Sequence, residues 1–63
     1  MKVTECFLIA GYTVVGFDQP VHLRYRTMEV DGDTYQTVPA FDIVPRIAVE
    51  GEHDFTGKEV LLY

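Results

Sequence analysis

Apolar and polar positions alternate over short runs, and Gly11, Gly16, Pro20, Gly32, Pro39, Pro45, Gly51 and Gly57 cut those runs every several residues. No stretch between breakers shows the 3.6-residue period of an amphipathic helix. The abundant Val, Ile, Thr, Tyr and Phe suit a pleated, half-buried surface instead. The pattern predicts strands near 2–9, 12–17, 22–30, 34–41, 46–49 and 59–63. The expected fold class is all-β, with residues 1–63 as a single small domain. Five to six short strands can bury a face as a small antiparallel sheet, or by curling into an SH3-like or OB-like barrel.

Asp31-Gly32 is the strongest local signal, because a two-residue type I′ turn needs positive φ at both central positions. It predicts a hairpin in which Met28 faces Tyr35, Arg26 faces Thr37, Tyr25 faces Val38 and Leu23 faces Ala40. Toward its base the apolar face is Leu23, Tyr25, Val38 and Ala40, which leaves His22, Arg24 and Arg26 on the other side. Toward its tip the apolar set is Met28, Val30 and Tyr35, in phase with the arginines. A single inserted residue would cause such a flip, so a β-bulge around Thr27 is the favoured explanation. The alternative is an unbulged hairpin whose tip protrudes and packs against a partner.

Sixty-three residues give little core. Chains of this size bury only about 60% of their unfolded surface and commonly lean on a disulfide, a metal or a partner. Cys6 is the only cysteine, which excludes an internal disulfide, and no Cys/His cluster has zinc spacing. Self-association is therefore the expected supplement. An apolar content of 48% places the chain among globular sequences, and the run Cys6-Phe7-Leu8-Ile9-Ala10 is too short to span a membrane. The free thiol agrees with a reducing, cytoplasmic setting.

A net charge of −5 disfavours nucleic acid and anionic lipid. The charge is uneven, with Arg24 and Arg26 close together and two acidic stretches, Glu29/Asp31/Asp33 and Glu50/Glu52/Asp54. The row His22, Arg24, Arg26, with tyrosines nearby, is the one feature suited to a single-stranded nucleic acid, where cations track phosphates and rings stack on bases. Glu50, Glu52, His53 and Asp54 match neither a calcium-loop nor a zinc spacing and read as a polar turn, so no metal or cofactor is expected. The absence of serine excludes a serine nucleophile, Cys6 sits in an apolar run, and Gly11 to Gly16 lacks the lysine of a phosphate loop. The expected function is thus non-catalytic. It is a small acidic interaction module that self-associates through a sheet edge or the 28–35 hairpin, with Met28, Val30, Asp31, Asp33 and Tyr35 as the contact set. A basic protein is a further candidate partner.

Overall fold

The computed structural model describes residues 1–22, 24–40 and 46–63. All its regular structure is strand: β1 (Val3–Ile9), β2 (Tyr12–Phe17), β3 (Thr27–Val30), β4 (Asp33–Ala40), β5 (Arg46–Glu50) and β6 (Leu61–Leu62). Two tight turns organise it. Ala10-Gly11 joins β1 to β2 and Asp31-Gly32 joins β3 to β4, with all four residues at positive φ between 52° and 84°. Their left-handed backbone matches the strand twist, so each pair of strands folds back in register. Gly32 is suited to its place because a Cβ there would carry the left-handed penalty.

The strands form one antiparallel sheet in the order β1-β2-β5-β4-β3-β6. The meander β3-β4-β5 thus docks its last strand against β2 of the first hairpin. Residues 57–60 tie the two ends of the sheet together: Val3 N–H donates to Lys58 O at 2.9 Å, Gly57 N–H to Val3 O at 2.9 Å, and Val60 N–H to Met1 O at 2.8 Å. This contact is a single bridge, Lys2 with Glu59, and the sheet is not closed into a barrel. The pairing of β1 with β2 carries a register shift between Val3 and Glu5, next to this tie.

One face of the sheet carries the core. Val3, Val15, Met28, Val30, Ile47, Val49, Phe55 and Val60 are buried together, with Cys6, Phe17, Tyr35 and Leu62 packed around them. Thr13 is the polar member at the centre. Its hydroxyl donates to Gly51 O at 2.6 Å and accepts from His53 N–H at 2.9 Å, which pins the loop after β5 onto β2. Thr37, also buried, donates its hydroxyl to Tyr25 O at 3.0 Å and holds the segment before β3.

The structure corrects the reading of the 22–38 hairpin. The register from Thr27↔Gln36 to Val30↔Asp33 follows the turn as expected, with no bulge around Thr27. The predicted strand over 22–30 begins only at Thr27. Arg26 O still accepts from Thr37 N–H, but Arg26 and Thr27 N–H both turn to Tyr63 O. The second half of β4 takes β5 as its partner instead, with Val38 opposite Ala48 and Ala40 opposite Arg46. Leu23 lies outside the described residues, as do 41–45. The tip does not protrude either, because Met28 and Val30 face this chain's own core.

Replacing Thr13 by Val keeps the volume and strips the loop of its two bonds, leaving a buried carbonyl and N–H unsatisfied. The expected loss is about 1–3 kcal/mol, read as a lower thermal midpoint, with Thr13→Ser close to wild type. An unchanged midpoint for Thr13→Val would show that the loop is held by other contacts.

Candidate interaction surface

The structure separates the expected contact set. Met28 is fully buried and Val30 is 4% exposed, so neither is offered to a partner. Asp31 and Asp33 stay at the exposed tip and Tyr35 is half-buried beside them. Around these three the structure brings His53, Asp54, Phe55 and Lys58, lining a shallow cleft of about 220 Å³. Asp54 of the second acidic stretch therefore meets Asp31 and Asp33 of the first. The rings pack as a trio: His53 stacks on Phe55 with centroids 5.2 Å apart, and Tyr35 sets its edge to both. Lys58 Nζ is ion-paired with Asp31 at the cleft wall.

The titrating groups here respond to their neighbours. The Asp31 carboxylate raises Lys58 above its ordinary value, first through their hydrogen bond and then through charge. Asp54 is held below its ordinary value of 3.8, chiefly by the Thr56 side chain and then by the Thr56 N–H, which donates to Oδ1 at 3.1 Å. A depressed carboxylate stabilises the fold above its unfolded value and loses that contribution as pH falls through the folded one. The turn at 54–57 is accordingly an acid-sensitive part of the molecule.

His22, Arg24 and Arg26 are exposed, but they do not form a strand face. Arg26 folds back to donate from Nη1 to Arg24 O at 3.1 Å, and the His22 ring sets its edge against Tyr25. A cation track at strand spacing is absent from this segment among the described residues.

A surface that the sequence reading missed lies on the side of the sheet away from the core. Register aligns Phe7, Val14, Ala48 and Val38 in one row across β1, β2, β5 and β4. With Ile9, Tyr12, Pro39 and Ala40 they line an apolar groove of about 440 Å³. The phase flip in the hairpin pattern has its cause here: Val38 and Ala40 belong to this outer face, and Tyr35 and Thr37 to the inner one. The signal was available in the continuous apolar runs at 6–10 and 47–49, since an uninterrupted run marks a strand with apolar surroundings on both sides.

One end of the groove is closed by charge. Arg46 of β5 reaches over Gly16 of β2 to pair with Glu5 of β1, and its guanidinium lies 5.5 Å from the Phe7 ring centre. Gly16 leaves room for that crossing, because a Cβ would stand 2.7 Å from Arg46 Nη1 and 2.8 Å from Glu5 Cγ and the pair would have to shift. The guanidinium is thereby spread over an aromatic face and tied to a carboxylate.

The groove runs out to an unpaired strand edge. β1 bonds to β2 on one side, and past the tie to 57–60 no described residue pairs with Glu5–Ile9 on the other. Leu8 and Ile9 on this edge are 51% and 53% exposed. The edge has no lysine, no proline and no bulge beyond Glu5, the devices that usually blunt such a template.

Among the described residues no group of His, Cys, Asp and Glu is arranged to hold a metal ion, and no helix is long and apolar enough to cross a membrane. Compared with known proteins, the chain matches no family model, no curated protein and no solved structure.

Two outcomes follow for the cleft. Met28→Ala is expected to cost about 2–5 kcal/mol and unfold much of the protein at 37 °C, as a core truncation does; a folded Met28→Ala variant with an unshifted melting curve would show that Met28 is not core. Thr56→Val should raise the Asp54 titration midpoint toward 3.8 when its carboxyl carbon is followed by NMR, and an unmoved midpoint would assign the depression elsewhere.

Proposed function

We propose that this protein is a non-catalytic interaction module that self-associates by strand addition at β1. The observation that carries the reading is the open, apolar edge from Glu5 to Ile9, continuous with the outer groove through Phe7 and Ile9. An added strand satisfies the unpaired backbone groups and covers Leu8 and Ile9 in the same step. Main-chain bonds supply the affinity and the side-chain row supplies the selectivity. The hairpin tip takes no apolar part in this association, because Met28 and Val30 are used internally.

A basic protein partner is the second reading, favoured by the convergence of Asp31, Asp33 and Asp54 on one cleft in a chain of net charge −5. Charge of this kind steers encounter and makes binding salt-dependent more than it adds affinity.

Strand addition has a direct test in sedimentation at micromolar concentration. The wild type should sediment larger than one chain, and Leu8→Lys, which places a charge on the seam, should return it to a monomer with little change in thermal midpoint. Leu61→Lys alters a residue 58% exposed on β6 and should leave the assembly intact. A monomeric wild type, or an assembly indifferent to Leu8→Lys, would defeat the reading.

A further inference from the structure

We infer that the added strand is β1 of a second copy, antiparallel and related by a two-fold axis at Phe7; this rests on the edge reading above and fixes its partner and register. The limits of the open stretch set the register. At one end Val3 is already bonded through both its N–H and C=O to Lys58 and Gly57. At the other end Ala10 and Gly11 are left-handed, at φ 52° and 84°, and cannot continue a strand. Glu5–Ile9 remains, and its middle residue is Phe7.

The direction of the backbone groups agrees. In a two-residue hairpin the residues flanking the turn, Ile9 and Tyr12, exchange hydrogen bonds, so Phe7 and Glu5 also point theirs at β2. Cys6 and Leu8 point theirs outward. An axis at Phe7 sets Cys6 opposite Leu8 of the partner subunit and Leu8 opposite the partner subunit's Cys6, and both pairs exchange backbone bonds. An axis at Cys6 would lay the partner's Ile9 against the occupied Val3. An axis at Leu8 would draw Ala10 into the ladder and leave Glu5 unpaired. The Phe7 axis alone uses the whole open stretch.

Charge selects a second copy over a basic chain at this edge. Glu5 is the only charged residue in Val3–Ile9, and Arg46 already neutralises it. No carboxylate on the seam is left for a basic partner. Two chains of net charge −5 can meet here without opposing like charges, since Glu5 falls opposite Ile9 of the partner subunit. Isologous pairing also joins the two outer rows, so that Phe7 meets the partner's Phe7 and the apolar row runs through both sheets. A seam about 17 Å long, at ~3.4 Å per residue, covers less than the about 800 Å² per partner of a standard interface. Association is therefore expected at micromolar rather than nanomolar concentration.

Oxidative cross-linking of the assembled protein tests the register. At the Phe7 axis residues 7 form a close, non-hydrogen-bonded pair, whereas the two Cys6 residues are offset by two positions and too far apart to bridge. A Cys6→Ser, Phe7→Cys variant, checked for folding by circular dichroism, should form a disulfide-linked dimer, and the wild type should not. A wild type that dimerises and cross-links through Cys6 would overturn the register and leave strand addition standing. A wild-type dimer in which neither or both proteins cross-link would also overturn it. A monomeric wild type would overturn register and strand addition together. The wild-type arm needs no substitution, so misfolding of the variant does not shelter the inference.

Discussion

The side-chain period of two along a strand is the constraint that shapes this molecule. A continuous apolar run must send half of its residues to each face of the sheet. In β2 and β5 this places Val15, Ile47 and Val49 in the core and Val14 and Ala48 on the opposite side. The core face is then covered by Met28, Val30, Phe55 and Val60, drawn from β3 and the C-terminal segment. The described residues supply one such cover. Among the described residues the outer face is shielded by its own neighbours, Phe7, Tyr12 and Val38, and by the Arg46–Glu5 pair at one end.

Buried polar groups position loops. Thr13 and Thr37 are buried, and each holds backbone from a distant segment. Their hydrogen bonds define how the 51–53 loop and the 24–26 segment sit on the sheet, and through the first of these they set the Tyr35, His53, Phe55 trio. Gly16 has a comparable role on the outer side, where the missing side chain lets a guanidinium cross a strand. Each arrangement joins residues far apart in sequence, which is how so short a chain fixes its topology.

Strand positions were legible in the sequence because breakers delimit them, and the Asp31-Gly32 turn gave the register of β3 against β4. The exception, 22–26, failed for a definable reason. Arg26 and Thr27 N–H bond to the C-terminal Tyr63 carbonyl, and β4 exchanges β3 for β5 at Thr37; both contacts are non-local and leave no trace in a local pattern. The same switch made the flip of apolar phase look like a bulge. Asp31, Asp33 and Tyr35 do share a surface, but the residues that complete it, His53, Phe55 and Lys58, come from a loop docked by Thr13. The β1 edge was named only as an unspecified sheet edge, since the strand order that leaves β1 outermost follows from the docking of β5 on β2.

The central claim is that the backbone of Cys6 and Leu8 is open in one chain and covered by another. Amide hydrogen exchange at these two residues, followed by NMR across a dilution series, addresses it without altering the protein. Exchange at Cys6 and Leu8 should slow markedly as concentration rises through the micromolar range, while the amides of Phe7 and Ile9, bonded within the hairpin, respond far less. Rates at Cys6 and Leu8 that do not depend on concentration would contradict the account.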